Sequence, residues 1–177
     1  MICYERYIPD QPPLWADETP TLRFVLKLHH ATKLHHDFRL EAHGVLISWA
    51  LPEILDLGRH GTVWARQVGD HDPQYMLSER RIPPGQYGAG PMLVRDYGVY
   101  RPLHHSEGSH SQTVCDALRE GQLDFELFGQ CLRGGYRFQR FGLEWRLRKL
   151  HDKFAREQIL FPDALSVLTG RSLQEIV

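Results

Sequence analysis

Apolar and polar residues alternate with a period of two through much of the chain, the spacing of a half-buried strand. Phe24, Leu26 and Leu28 alternate with Arg23, Val25, Lys27 and His29. After a short break, His36, Phe38 and Leu40 alternate with His35, Asp37, Arg39 and Glu41. The connection from His30 to Leu34 is short enough to fold the runs 22–29 and 35–41 back on each other. His43-Gly44 makes a turn into Val45–Ala50, an almost wholly apolar run ended by Leu51-Pro52. Residues 53–61 read as loop and Thr62–Val68 as a strand, followed by a loop, Gly69–Tyr75, that delivers His71 to a strand end.

Met92–Arg95 and Val99-Tyr100 read as two strands flanking Asp96-Tyr97-Gly98. Thr113–Glu120 reads as a short helix with Ser111 as its cap and Gly121 as its stop. Leu123, Phe125 and Leu127 alternate with acidic residues up to Gly129, and Tyr136–Arg140 forms the next run. Leu143, Trp145 and Leu147 alternate with Glu144, Arg146 and Arg148 in the last strand. His151–Gln158 reads as helical, and the tail 163–177 as carrying a short helix that ends at Gln174-Glu175-Ile176.

Eight or nine strands of similar length, joined by Gly/Pro turns and without long amphipathic helices, predict a mainly β fold. The pattern suits an antiparallel barrel or sandwich with a few short helices. Residues 1–21 are expected to be a Pro-rich arm with Trp15 as an anchor, 22–158 the β domain and 159–177 the C-terminal tail.

Composition narrows the class. A chain of 177 residues with 42% hydrophobic and 24% charged residues is large enough for one well-packed domain. The net charge of −1 gives no global reason to bind a polyanion. Locally, Arg133, Arg137, Arg140, Arg146, Arg148, Lys149 and Lys153 face only Glu144 and Asp152, a balance compatible with a polyanion groove or with a solvated face. Cys3, Cys115 and Cys131 are widely spaced, which argues against a disulfide framework and fits a reducing compartment. No apolar run approaches membrane-spanning length and no signal pattern opens the chain, so a cytoplasmic protein without membrane attachment is expected.

The chemistry concentrates in Leu28–Glu41, which holds four of the eleven histidines beside an aspartate and an arginine. Folded as a hairpin, it brings His29 next to the face carrying His35, Asp37 and Arg39. His30, His36, Phe38 and Leu40 fall on the opposite, apolar face, where the two histidines are expected to be packed or hydrogen-bonded. Imidazole and carboxylate suit a divalent transition metal, and a guanidinium suits a phosphate beside it. Glu41, two residues beyond Arg39 on the same face, is expected to orient that arginine. The glycine-rich run Ile82–Pro91 is followed by no helix and no Gly-Lys-Ser/Thr, so it reads as turns rather than a phosphate-binding loop. Trp49 and Trp145 read as core, and His104, His105 and His110 as solvated loop residues.

Three chemistries use these histidines differently. A non-haem iron oxygenase would take His35-x-Asp37 with a distant histidine such as His104. A metal-independent phosphoesterase would pair His30-x-Thr32 with His104-x-Ser106. A metal-dependent phosphoesterase would hold a Mn²⁺-like or Zn²⁺-like ion on His29, His35 and Asp37. Arg39 would then clamp a phosphate oxygen, and His71 would stabilise developing charge or protonate the leaving oxygen.

The chain resembles the 3′-phosphoesterase domain family of bacterial DNA ligase D. The likeness runs from about Arg23 to Ala155 through ordered motifs: Arg23-Phe24-Val25, His29–Glu41, Gly44-Val45 and Ser48-Trp49-Ala50. It continues through Asp70-His71-x-Pro73-x-Tyr75, Ile82-Pro83-x-Gly85-Gln86-Tyr87-Gly88-Ala89-Gly90 and Gly121-x-Leu123-x-Phe125-x-Leu127-x-Gly129. Leu132-x-Gly134 and Trp145-x-Leu147-x-Lys149 complete it. The resemblance implies a β-barrel enzyme that uses Mn²⁺, or another divalent ion such as Zn²⁺ or Co²⁺, on DNA or RNA–DNA 3′ ends at breaks. Such an enzyme removes a terminal ribonucleoside to leave a 3′-phosphate, then removes that phosphate to leave a 3′-OH. It further implies His29, His35 and Asp37 as metal ligands, Arg39, His71 and Tyr75 as catalytic groups at the scissile phosphate, and a DNA ligase acting in trans.

Four positions depart from the family pattern. Lys27 stands where glutamine is usual and is expected to bind substrate with Arg39 and Tyr75; Glu53 stands where lysine is usual. Gly69 replaces an acidic residue and Val63 falls near the place of a basic one. These changes alter the surroundings of the phosphate, so the competing expectation is a DNA-end-binding or ligase-accessory module with weak or no turnover.

Overall fold

The closure of the structure rests on one strand, β1 (Leu22–His30), which pairs along both edges. The computed structural model describes residues 21–52, 57, 61–104, 108–155 and 164–177. The expected arm, with Trp15, and Glu53, His105 and residues 156–158 lie outside the described residues, as does most of the 53–61 loop. From β1 the chain continues through β2 (Leu34–Ala42), β3 (Val45–Pro52), β4 (Thr62–His71), β5 (Arg80–Ile82) and the long β6 (Gly90–Pro102). A helix, α1 (His110–Glu120), precedes β7 (Gln122–Gly129), β8 (Arg133–Phe141) and β9 (Glu144–Lys149). Neighbours run β1-β2-β3-β4-β9-β8-β7-β6, and β6 pairs back onto β1, closing an eight-stranded antiparallel barrel with β5 added on β6. The expected β-barrel with few helices is therefore observed.

Local chemistry explains the hairpins. His43 and Gly44 both adopt left-handed backbone (φ 47° and 74°), as a two-residue turn matched to strand twist requires. Inside the barrel the even positions of β1 and β2 meet an aromatic core. Trp49 stacks on Phe138 at 4.4 Å, and Phe38 and Phe125 each lie 5.7 Å from the same ring. Trp49, Phe24, Phe38, Phe125 and Phe138 have no exposed surface, and each such burial stabilises the fold by roughly 1.5–3 kcal/mol. Val114 and Leu118 bring α1 onto this core, while Leu173 and Ile176 of the tail pack with Leu28 and Leu93.

Several elements differ from the sequence expectation. Met92–Arg95 and Val99-Tyr100 belong to one strand: opposite the step from Leu26 to Lys27, β6 advances from Asp96 to Val94, and this bulge absorbs the apparent break. Asp96 is buried there and accepts the backbone N–H groups of Tyr97, Gln130, Cys131 and Leu132, so its polar character serves a turn on the neighbouring hairpin. Ser109, not Ser111, caps α1, because its side chain is the one that reaches the Gln112 N–H. Residues 151–155 are turns rather than helix, since Asp152 turns its carboxylate onto the Gly135 and Phe154 N–H groups. The short tail helix is a single 3₁₀ turn, Leu173–Glu175. Among the described residues no helix is long and apolar enough to cross a membrane.

Candidate metal and phosphate site

The odd positions of β1 and β2 point out of the barrel, yet Val25, Lys27, His29, Asp37 and Arg39 are buried there. The chain between β4 and β6 crosses over them, and Met76 from that excursion packs with Val25, Leu46 and Val94. Register places His29 opposite His35 and Lys27 opposite Asp37, with Arg39 opposite Val25 on one side and Ser48 on the other. The hairpin geometry thus brings the predicted trio together. One donor atom from each of His29, His35 and Asp37 lies within 4.8 Å of the others.

Both imidazoles are oriented from behind. His29 Nε2 donates to the Gly88 carbonyl at 2.8 Å, leaving Nδ1 to face Asp37 Oδ2 at 3.7 Å. His35 Nδ1 donates to the Lys33 carbonyl at 2.9 Å, leaving Nε2 to face Asp37 Oδ1 at 3.3 Å. The ring nitrogens that face the carboxylate need positive charge among the three, supplied either by protons on the rings, as the hydrogen bond to Asp37 that raises the pKa of His35 reflects, or by a metal ion that replaces those protons. The donor set of two neutral imidazoles and one carboxylate fits a divalent transition metal with positions open to other ligands.

Burial works against ionisation of Asp37, but its contacts to His29 and His35 and the charge of Arg39 outweigh it and hold the carboxyl far below the usual range. Arg39 is 3% exposed and donates to Asp37 Oδ2 at 2.9 Å, while its Nε is buried without a hydrogen-bond partner. A buried guanidinium Nε left unpaired beside a metal-type donor set is suited to an incoming phosphate oxygen.

His71 reaches this face through a defect in β4. Ser48 lies opposite Val68 and Leu46 opposite His71, so β4 carries one extra residue over that span. Without the bulge, Asp70 would lie opposite Leu46 and His71 would turn to the other face. His71 is accordingly the last residue of β4 rather than part of a loop. Its Nδ1 donates to Ser48 Oγ at 3.0 Å, and Ser48 in turn donates to the Leu46 carbonyl at 2.8 Å. Burial, then the positive charges of Arg39 and Lys27, lower the pKa of His71, leaving the ring neutral with Nε2 unprotonated at neutral pH.

Tyr75 ends a 3₁₀ turn, Pro73–Tyr75, capped by Asp72, and the Arg80 guanidinium lies 4.5 Å from its ring centre. Lys27 is fully buried, and its Nζ donates to the backbone carbonyls of Tyr75 at 2.6 Å and Ser78 at 2.8 Å. The lysine thus fastens the covering segment to β1, and its ammonium is already engaged by protein. Burial pushes its pKa down to about 7.

Other expectations are corrected by the packing. Glu41 does not orient Arg39; it pairs with Arg23 through two contacts at 2.7 and 2.6 Å. His36 is buried and donates to the Pro52 carbonyl at 3.1 Å as expected, but His30 is exposed at the strand end. His104 stands 3.4 Å from Asp124 on β7 and takes no part in the trio, so the version of the oxygenase reading that draws on His104 is not formed; the second histidine beside His35 and Asp37 is His29. Val63 faces the core, where a cation could not reach the site. Gly88, Lys33 and Ser48 escaped the sequence reading because two act through carbonyls and one through a common hydroxyl. The glycine-rich run around Gly88 was the only local signal.

A family model described as the DNA Ligase D 3′-phosphoesterase domain matches residues 27–140. A multifunctional non-homologous end joining protein LigD from Pseudomonas aeruginosa is 38% identical over 168 residues, covering 89% of this chain and 19% of its own length. LigD proteins from Mycobacterium tuberculosis and Mycolicibacterium smegmatis are 36% and 33% identical over 66% and 79% of this chain. The chain spans less than a fifth of the length of these three relatives, 15–19%. On the barrel, the ordered motifs and these matches together, the chain belongs to the DNA ligase D 3′-phosphoesterase domain family.

Proposed function

We propose that this protein is a metal-dependent 3′-phosphoesterase that trims 3′-ribonucleoside and 3′-phosphate ends of DNA or RNA–DNA strands to leave a 3′-OH for repair. The observation that carries the reading is the convergence of His29, His35 and Asp37, each ring oriented by a backbone carbonyl, beside the unpaired Nε of Arg39. His29, His35 and Asp37 would hold Mn²⁺ or a comparable ion such as Zn²⁺ or Co²⁺. Such an ion supplies Lewis-acid polarisation of a phosphate oxygen and lowers the pKa of a bound water.

The chain's own groups divide the remaining work. Arg39 binds a non-bridging phosphate oxygen through its free edge and neutralises charge that develops there. Neutral His71 offers Nε2 as a proton acceptor at neutral pH, and once protonated it returns that proton to the leaving oxygen. Tyr75, whose backbone carbonyl is held by Lys27, would supply its phenol as a further phosphate contact. In the first step water attacks phosphorus and the bond from phosphorus to the 5′-oxygen of the terminal ribonucleoside breaks, leaving a 3′-phosphate; in the second, another water attacks that phosphorus and the bond to the 3′-oxygen breaks, releasing inorganic phosphate and a 3′-OH.

The relatives are named for multifunctional end joining, and a DNA ligase acting in trans is the partner proposed for this chain. The testing experiment is a primer–template bearing one 3′-ribonucleotide, then a 3′-phosphate primer, each incubated with Mn²⁺ and again with excess chelator. Shortening followed by dephosphorylation, both abolished by chelation, is expected. DNA binding without either product would instead identify a DNA-end-binding or ligase-accessory module. Co-purification with a ligase checks the partner, and recovery of none counts against it.

A further inference from the structure

Beyond the trio, the outward face of the barrel continues without a break onto β4, β9 and β8. Lys27 lies opposite Asp37, Asp37 opposite Ala50 and Ala50 opposite Arg66, so one register row runs from the metal ligands to Arg66. Two inter-strand steps separate Asp37 from Arg66, roughly 10 Å. Trp64, two residues along β4 on the same face, lies opposite Arg146 of β9, and Thr62 lies opposite Arg148. Val63, Ala65, Trp145 and Leu147 between them point into the core, which fixes the outward direction of the others.

The residues presented there are unusual for a free sheet surface. Trp64 is 52% exposed and meets the edge of Phe141 at 5.7 Å. The Arg146 guanidinium stacks 4.4 Å from the Phe141 ring centre and donates to Gln139 at 3.1 Å. Among the described residues neither Arg146 nor Arg148 forms an ion pair, and the Nε of each is buried without a hydrogen-bond partner. Arg66 is 76% exposed at its side chain, with Glu144 3.6 Å away as the local acid. Arg137, by contrast, is neutralised by Asp124.

We propose that this face of β4 and β9 binds single-stranded nucleic acid: an unpaired base stacks on Trp64 while Arg66, Arg146 and Arg148 hold the adjoining phosphates. An exposed indole flanked by cations, on the outward face of the barrel, offers a π-face to any base and charge to the backbone. Continuity with the Asp37 row sets the bound strand beside the site that receives the 3′ end. The inference deepens the proposed function, on which it rests for the identity of the occupant.

The test measures binding apart from hydrolysis. A fluorescent single-stranded oligonucleotide of about ten nucleotides with an unreactive 3′-OH end is titrated, in chelator, against the full chain. Trp64→Leu is expected to weaken binding roughly tenfold and Trp64→Phe far less, because only the latter keeps an aromatic face. Arg66→Gln and Arg146→Gln are each expected to flatten the salt dependence by about 0.7 in the log–log slope. Unchanged affinity in Trp64→Leu, with its circular dichroism and melting intact, overturns the proposal. So does an equal loss on a blunt duplex, which would move the contact to paired DNA. If the primer assay shows no turnover while Trp64→Leu loses binding, the surface stands and the enzyme reading falls; the reverse pattern fells the surface alone.

Discussion

His71 Nδ1 donates to Ser48 Oγ at 3.0 Å, and Ser48 passes its own proton to the Leu46 carbonyl at 2.8 Å. Because the serine proton is committed, the imidazole must be the donor, which fixes the tautomer that leaves Nε2 bare. Ser48→Ala removes this restraint. It is expected to lower kcat roughly 10- to 100-fold, with KM little changed. His71→Ala, which removes the proton acceptor itself, is expected to cost about 10²–10⁴ in kcat. Steady-state kinetics of both variants on a 3′-phosphate primer check the ordering, and equal kcat in wild type and Ser48→Ala would refute the orienting role.

Gly88 joins two demands at one residue. Its φ of 74° is left-handed, and a Cβ placed there would lie 3.4 Å from His29 Cε1. Gly88→Ala is expected to shift the carbonyl that orients His29 and to weaken metal binding about 10- to 100-fold. Mn²⁺ titration followed by electron paramagnetic resonance reads this directly. His35→Ala and Asp37→Ala should abolish binding in the same titration.

Lys27 distinguishes substrate contact from support. Lys27→Met keeps the bulk but leaves the Tyr75 and Ser78 carbonyls without their donor, a loss on the order of 2 kcal/mol. The expected fall in Tm is about 4–8 °C, accompanied by a higher KM as Tyr75 loosens. A lysine used only for phosphate would raise KM and leave the melting curve unmoved.

Asp152 provides a pH signature away from the site. Burial raises its pKa, but the Lys149 ammonium at 2.6 Å and the N–H groups of Gly135 and Phe154 prevail and lower it. A carboxyl with a depressed folded-state pKa contributes stability above its unfolded value, ~3.9, and loses it as pH falls through the folded value. Urea denaturation of wild type and Asp152→Asn should therefore differ at pH 7 and converge toward pH 2–3. A constant gap across that range would show that the contribution is not ionic.

The His29–Glu41 stretch was legible because its information is local. A period-two pattern places His35, Asp37 and Arg39 on one face, and a three-residue connection sets His29 beside them. The aromatic core was legible for the same reason. What failed were the exceptions to strict alternation. A bulge in β6 looked like a turn, and a bulge in β4, which alone gives His71 its correct face, left no mark in the composition.

Strand pattern, antiparallel class and the grouping of His29, His35 and Asp37 on one face were readable in the residues alone, because side-chain direction in a strand follows from parity. The folded barrel was needed to reveal which backbone carbonyls orient His29 and His35, that Glu41 belongs to Arg23, and that Lys27 is a strut. It also decided that Trp64 and Arg66 share a face with Asp37, through Ala50. These relations join residues far apart in the chain through barrel closure and strand register, and carbonyl groups are present at every residue. No local pattern can select among them until the sheet has curved and shut.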